Sequence, residues 1–133
     1  MLFLDTSALI KRYVDEDGTT LVIRRMSEDP EWVVSALART EAEITLCRLG
    51  FGAGEDTTAT ASLRDDWERC HVVPIDPACL ERAAELGCQY EIRTLDALHL
   101  AAADRLPRPL VMLTFDGRQA DAARAMGLTV EGA

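Results

Sequence analysis

The sequence predicts an α/β fold built around a parallel β-sheet. Short apolar runs alternate along the chain with helical patterns of about 10–15 residues, an alternation typical of parallel strands joined by helical crossovers. The runs LFL, VV, VV and LVML contain no alternating polar residues, which favours strands covered on both faces. In such folds, functional side chains gather beyond the carboxyl ends of the strands.

Apolar runs and turn residues define the elements in chain order. The predicted strands are 2–4, 31–37, 71–76, 110–115 and 128–130. The predicted helices are 7–14, 19–29, 39–50, 57–70, 77–90, 95–106 and 117–128. Gly50 and Gly127 end two of these helices, Pro77 stands at a tolerated first-turn position, and the threonines of the fourth helix lower its propensity. A turn at 15–18 separates the first two helices, and residues 50–56, GFGAGED, predict a flexible joint.

Length and composition predict one cytoplasmic domain spanning residues 1–133. The chain has a mass of 14.6 kDa, and its 48% hydrophobic and 28% charged residues are close to globular averages. The apolar runs are far shorter than the ~20 residues of a membrane span. The segment MLFLDTSALIKRY has an acid at position 5 and no basic region, so it does not resemble a signal peptide. The cysteines form no CxxC pair, and reduced thiols are expected rather than a zinc site.

The charge balance narrows the classes of function. Fourteen basic and 23 acidic residues give a net charge of −9, which excludes a simple basic clamp for nucleic acid. It does not exclude a nucleic-acid enzyme whose own carboxylates hold metal ions, because bound cations reverse the local field.

Four carboxylates follow strands or open helices at the expected functional edge. Asp5 follows the first predicted strand, Asp116 follows the fourth, Asp96 opens a helix, and Glu41 lies in the first turn of the predicted helix 39–50. Gathered in a single pocket, these groups would repel one another, and some would stay protonated without a cation. Hard divalent cations such as Mg²⁺ select oxygen ligands of this kind.

Each acid also has a purely structural interpretation. Asp5, Asp96 and Asp116 could be helix caps, and Glu41 could sit in a first turn for the helix dipole alone. Asp76 also follows a predicted strand, and we interpret it as a cap of the helix that begins at Pro77. Position after a strand therefore does not by itself separate site acids from capping acids.

Four segments together resemble a known family. They are DTSAL at the N-terminus, VSALARTE, LDALHLAAA, and LTFDGR followed by AARAMGL. In this order, spanning residues 3 to about 130, they resemble the PIN-domain nucleases, and most closely the small PIN proteins that act as VapC-type toxins. The resemblance implies a PIN-like three-layer sandwich with a central parallel sheet of strand order 3-2-1-4-5, and an acidic pocket at its carboxyl edge.

The resemblance also implies an activity and a set of site residues. The activity is a Mg²⁺- or Mn²⁺-dependent endoribonuclease, in which water attacks the phosphodiester and leaves a 5′-phosphate and a 3′-hydroxyl. By motif, the catalytic and metal-binding acids are Asp5, Glu41, Asp96 and Asp116. Asp116 would act either as a direct ligand or through water.

Neighbouring side chains are expected to assist these acids. Thr6, Ser7 and Thr114 could contact water or phosphate through their hydroxyls, or serve structural roles. Arg93 and Arg118 stand beside two of the acids and are candidates for contacts to RNA phosphates. The resemblance further implies a VapB-type antitoxin, bound in a groove near the first two helices, and a homodimer.

Three residues beside the strands and motifs, Glu43, His99 and His71, allow more than one interpretation. Glu43 competes with Glu41, but the two lie 200° apart on a helix, so only one can face the pocket, and the motif spacing selects Glu41. His99, three residues after Asp96, is interpreted as a helix-packing residue in preference to a phosphate contact. His71, at the start of a predicted strand, is interpreted as structural.

Other functions fit the sequence less well. A receiver-like signalling domain needs an acid pair after the first strand and a lysine after its last strand, but Asp5 is followed by Thr6 and the only lysine is Lys11. An aspartyl phosphatase needs a D-x-D motif where this chain has D-T-S. A housekeeping PIN nuclease without an antitoxin remains an alternative to the toxin.

Overall fold

A computed structural model describes residues 1–51 and 57–133. The strands in these ranges are β1 (Leu2–Leu4), β2 (Trp32–Ser35), β3 (His71–Val73), β4 (Val111–Thr114) and β5 (Thr129–Gly132). The helices are α1 (Thr6–Leu9), α2 (Thr19–Glu28), α3 (Leu37–Arg48), α4 (Thr58–Trp67), α5 (Pro77–Tyr90), α6 (Thr94–Asp104) and α7 (Gly117–Ala125). Of the predicted joint at 50–56, residues 52–56 lie outside the described part of the chain.

The sheet has the predicted topology. Its five strands are all parallel and are ordered β3-β2-β1-β4-β5, which confirms the predicted order 3-2-1-4-5. The central strand β1 pairs with β2 through Leu2 and Trp32, and with β4 through Leu2 and Val111. Because all strands run in one direction, their carboxyl ends lie along one edge of the sheet.

Two apolar cores cover the two faces of the sheet. Successive side chains of a strand point to opposite faces, and all three residues of β1 are fully buried. Phe3 packs with α5, α6 and α7 on one face, whereas Leu2 and Leu4 pack with α1, α2, α3 and α4 on the other. This arrangement confirms the predicted three-layer α/β sandwich. Among the described residues, every helix is too short or too polar to cross a bilayer.

The edge strand β3 departs from the prediction that the strands are covered on both faces. His71 and Val72 are exposed, and only Val73 is buried. The prediction was wrong at this strand because β3 has a neighbour on one side only, at the margin of the helical layers. An apolar run alone does not distinguish a central strand from an edge strand.

Several element boundaries also differ from the prediction. The predicted helix 7–14 is divided, because α1 ends at Leu9 and a 3₁₀ turn continues through Ile10–Arg12. The predicted strand 31–37 is shorter, because α3 already begins at Leu37. The early start of α3 moves Glu41 out of the first helical turn and into the second.

The turn before α2 packs tightly against the end of β4. Gly18 has a φ of +94°, and a Cβ at this position would lie 2.5 Å from the ring of Phe115. The Lys11 ammonium lies over the same ring, 4.6 Å from its centre. Phe115 stands between Thr114 and Asp116 in the sequence, so the turn is held close to the carboxyl edge.

Candidate active site

Asp5 is buried at the carboxyl end of β1 and is only 4% exposed. Its Oδ1 accepts hydrogen bonds from the Ala8 amide at 2.9 Å and the Ser7 hydroxyl at 2.7 Å, so it caps α1. Its Oδ2 accepts a hydrogen bond from the Thr114 hydroxyl at 2.6 Å. Burial raises the pKa of Asp5 and outweighs these hydrogen bonds, which lower it. The Asp5 carboxyl therefore caps a helix in surroundings that disfavour its ionised form.

Glu41 faces the same edge from the second turn of α3. Its Oε1 accepts hydrogen bonds from the Thr6 hydroxyl at 3.0 Å and from His99 Nε2 at 2.5 Å. Burial alone would raise the pKa of Glu41, but the interactions with His99 and Thr6 outweigh it and lower the pKa. Glu43 points elsewhere and pairs with Arg39 at 3.4 Å and Arg64 at 2.6 Å.

Asp96 and Asp116 lie on either side of the Arg93 side chain. Asp96 is the third residue of α6, so it is not the cap of that helix, whereas Asp116 caps α7 by accepting the Gln119 amide at 2.9 Å. Arg93 Nε lies 3.3 Å from Asp96 Oδ2, and its Nη2 lies 3.7 Å from Asp116 Oδ2. Burial, and then the nearby charge of Asp116, raise the pKa of Asp96. Arg93 itself is 76% exposed, so it lies at the mouth of this region.

Two buried polar side chains connect Asp5 with Asp96. The Thr114 hydroxyl that binds Asp5 also lies 3.1 Å from Gln119 Oε1. Gln119 is fully buried, and its Nε2 donates to the backbone carbonyl of Asp96 at 3.3 Å. A continuous chain of contacts therefore runs from the end of β1 through β4 and α7 to the start of α6.

The remaining predicted residues have different surroundings. The hydroxyls of Thr6, Ser7 and Thr114 all hydrogen-bond to the predicted acids. Arg118 is exposed and lines a cavity of about 430 Å³ with Tyr90 and residues of α7. None of the four acids lines that cavity in the described part of the chain.

Sequence reasoning missed three residues of this network. Ser35, His99 and Gln119 are each buried at the carboxyl edge. Ser35 hydrogen-bonds to His99, and His99 to Glu41, whereas Gln119 bonds to Thr114 and to the backbone carbonyl of Asp96. The interpretation of His99 as a packing residue was incomplete, because it is 2% exposed but also binds Glu41. The spacing could have indicated a role for His99 at the site, because residues three apart on a helix share a face and His99 lies three residues after Asp96.

The donor types fit a hard divalent cation. Carboxylate oxygens are the ligands that Mg²⁺ and Mn²⁺ prefer, and Mg²⁺ commonly uses only one or two of them together with water. Asp5 and Asp96 have raised pKa values, and a bound cation would favour their ionised forms. In residues 1–51 and 57–133, no three acidic, histidine or cysteine side chains form a preassembled ligand set. Within the described residues, the hydrogen bonds place the four acids along the carboxyl edge in two groups rather than in a single closed pocket. Asp5, Asp96 and Asp116 belong to one group and Glu41 to the other, with His99.

Comparison with known proteins agrees with this architecture. The family model of the PIN domain matches residues 2–125, and the chain therefore belongs to the PIN-domain family.

Within that family, the chain is similar to VapC proteins. It is 35% identical over 130 residues to Ribonuclease VapC46 of Mycobacterium tuberculosis, covering 97% of this chain and 95% of that protein. M. tuberculosis VapC20, described as a sarcin-ricin loop cleaving toxin, has the same fold with a TM-score of 0.74 and 18% identity, covering 92% of this chain and 95% of that one. VapBC2 from Rickettsia felis, solved bound to a promoter DNA fragment, matches with a TM-score of 0.69 and 14% identity, covering 98% of each chain.

Proposed function

We propose that the chain, acting as one PIN domain over residues 1–133, is a Mg²⁺- or Mn²⁺-dependent endoribonuclease. The observation that carries this proposal is the placement of two acids, the buried Asp5 and the half-buried Asp96, at the carboxyl edge of the sheet. Thr114 and Gln119 connect the Asp5 carboxylate to the backbone carbonyl of Asp96. Burial raises the pKa of both, and carboxyls with pKa values perturbed in this way cluster at functional sites. The ribonuclease name of the 35% identical relative supports RNA as the substrate.

The residues of the chain have distinct roles in this reaction. Asp5 and Asp96 would hold the cation, with Glu41 and Asp116 completing the site directly or through water. When bound, the cation would lower the pKa of a water molecule and polarise the scissile phosphate. Ser7 and Thr114 orient the Asp5 carboxylate through hydrogen bonds of 2.7 and 2.6 Å.

The phosphodiester is cleaved by water in this scheme. Water attacks phosphorus in line with the O3′ leaving group, so the products carry a 5′-phosphate and a 3′-hydroxyl. Arg93 contacts an RNA phosphate, since its exposed guanidinium already lies between two site carboxylates. Arg118, two residues after Asp116 at the start of α7, serves as a second phosphate contact. With few basic side chains engaged, RNA binding should depend only weakly on salt.

We further propose that the chain is the toxin of a VapBC-type module and forms a homodimer. A groove of about 590 Å³ lies between the segment that follows α1, helix α2 and helix α4, and its lining includes Tyr13, the exposed Ile23 and Phe51. This groove would receive a VapB-type antitoxin. The R. felis neighbour, solved as VapBC2, supports that partner. A short reading frame directly upstream of the gene would favour this module over a housekeeping nuclease.

RNA cleavage by the purified chain tests the proposed activity. Structured RNA should be cut in the presence of Mg²⁺ or Mn²⁺, and excess EDTA should stop the reaction. The Asp96→Asn variant should be inactive although folded, whereas Glu43→Gln should cleave at the wild-type rate, because Glu43 pairs with Arg39 and Arg64 away from the edge.

End-group analysis of the products supplies a second criterion. A 5′-phosphate and a 3′-hydroxyl are expected. Full activity in EDTA, undiminished cleavage by Asp96→Asn, or products with 2′,3′-cyclic phosphates would each overturn the proposed mechanism.

A further inference from the structure

A buried histidine makes polar contacts through both ring nitrogens at the acidic edge. His99, on the second turn of α6, is 2% exposed. Its Nε2 lies 2.5 Å from Glu41 Oε1, and its Nδ1 lies 2.9 Å from the Ser35 hydroxyl at the end of β2. A third oxygen, Thr6 Oγ1, lies 3.3 Å from Nε2. His99 therefore connects elements that are distant in sequence.

Counting hydrogens fixes the direction of these contacts. An ionised carboxylate can only accept hydrogen bonds, so the proton between His99 and Glu41 belongs to Nε2. The Thr6 hydroxyl also donates to Glu41 Oε1, at 3.0 Å. In a neutral imidazole Nδ1 is then an acceptor, and the Ser35 hydroxyl, which is fully buried, is its donor.

The geometry limits the orientation of Glu41. Both hydrogen bonds found for its carboxylate in the described residues end on Oε1, which leaves the lone pairs of Oε2 for a cation or water. A glutamate on a helix has three rotatable side-chain bonds, and ordering it costs free energy that fixed partners offset. The Glu41 side chain is 26% exposed, so without these donors it could swing toward solvent.

We propose that His99 is a positioning residue that holds the Glu41 carboxylate toward the acidic edge through Nε2–H, and that Ser35 fixes the imidazole for this task. The role in catalysis rests on the proposed nuclease function, because Glu41 acts there with a metal ion. Outer-shell partners of this kind typically change metal affinity or activity by about 10–100-fold when they are removed.

Two amide substitutions separate positioning from packing. In His99→Gln the side-chain amide reaches the place of Nε2 and can still donate to Glu41, whereas in His99→Asn it reaches only the place of Nδ1, near Ser35. Both replace a buried imidazole by a smaller neutral amide, so a packing role predicts similar losses in both. A positioning role predicts rescue by glutamine alone.

Three measurements on the full chain decide the question. Mn²⁺ binding, followed by electron paramagnetic resonance, should weaken about 10–100-fold in His99→Asn and no more than about 3-fold in His99→Gln. With RNA, kcat should fall by a similar factor in His99→Asn while KM changes little. Nitrogen-15 spectra of the wild-type imidazole should show a protonated Nε2.

The outcomes that would overturn the positioning role of His99 differ from those that would overturn the nuclease function. Equal losses of Mn²⁺ affinity in both variants, wild-type affinity in His99→Asn, or an unprotonated Nε2 would overturn the positioning role. If the wild-type chain binds Mn²⁺ but cleaves no RNA, the proposed nuclease function fails, while the Mn²⁺ comparison and the imidazole spectrum still decide the role of His99.

Discussion

Replacing Asp5 with asparagine is expected to abolish RNA cleavage and, in the same variant, to raise the melting temperature measured without divalent cations. Cleavage should fall by more than the ~10–100-fold that loss of an outer-shell partner costs, because a metal-holding oxygen loses its charge. The gain in stability follows from removing a carboxyl whose ionised form is disfavoured by burial, since Asp5 is only 4% exposed.

The pH dependence of this gain has a definite sign. Burial raises the pKa of Asp5 in the folded chain above its unfolded value. The folded state therefore binds the proton more tightly than the unfolded state does. The stability that protonated Asp5 contributes is present at low pH and is lost as the pH rises through the folded pKa. The Asp5→Asn variant should be more stable than wild type at neutral pH, and this difference should close as the pH falls through the folded pKa of Asp5.

Hydrogen-bond accounting around Thr114 supports the same expectation. The Thr114 hydroxyl has one proton but lies within reach of two acceptors, Asp5 Oδ2 at 2.6 Å and Gln119 Oε1 at 3.1 Å. With an ionised Asp5 only one of them receives the proton. An amide at position 5 can donate to Thr114, which then donates to Gln119, while its oxygen still caps α1 at the Ala8 amide.

A matched control exists at Asp76. It also follows a strand and caps the next helix, accepting the Cys79 amide at 3.0 Å, but hydrogen bonds from Arg105 and that amide lower its pKa. Asp76→Asn should leave cleavage unchanged and should not raise the melting temperature. Thermal melts from pH 4 to 8, with and without Mg²⁺, check both variants. A less stable Asp5→Asn at neutral pH would contradict the prediction.

Truncating Leu86 to alanine is expected to destabilise the fold by about 2–5 kcal/mol, the usual range for a buried leucine. Leu86 is fully buried in α5 and belongs to the core cluster that contains Phe3 and Leu100. The cavity left by the lost side chain cannot be refilled by the flanking helices without strain. For a chain of this length, the loss corresponds to a fall of roughly 10 °C or more in melting temperature.

Leu80 on the same helix provides the comparison. It is 51% exposed, so Leu80→Ala should change stability by no more than about 0.5 kcal/mol. Because both residues lie on α5, which carries none of the four acids, Leu86→Ala should retain cleavage at temperatures well below its transition. Chemical denaturation of both variants checks the difference, and equal stabilities would show that α5 does not contribute to the core as described.

The fold was largely predictable from local patterns. Apolar runs such as LFL and LVML predict burial, and the helical segments between them predict parallel pairing, so the layers agree with expectation. The strand order was implied only by the resemblance to PIN-domain nucleases, and it also agrees. The exposure of Val72 was not predictable, because the local sequence of a strand does not show whether the strand will lie at the edge or in the middle of the sheet. The division of the first predicted helix at Leu9 depends on packing rather than on propensity.

The site was predictable only in part. The motifs mark the acids. The 200° separation on α3 means that only one of Glu41 and Glu43 can face the edge, and the motif spacing selects Glu41, which is the one that reaches His99. The partners of these acids depend on tertiary contacts: Ser35 and His99 meet across 64 positions of sequence, and Thr114 meets Asp5 across 109. Helix-cap geometry does not discriminate either, since Asp5, Asp76 and Asp116 all cap helices.

The close packing of Gly18 on Phe115 limits which residues can replace glycine at position 18. Any side chain at position 18 would need the left-handed backbone and the space now filled by the aromatic ring. Moving that ring would also shift the Lys11 ammonium and the backbone between Thr114 and Asp116. A saturation-mutagenesis library should therefore tolerate exchange at position 18 as poorly as at the acids themselves, although this glycine takes no part in the chemistry.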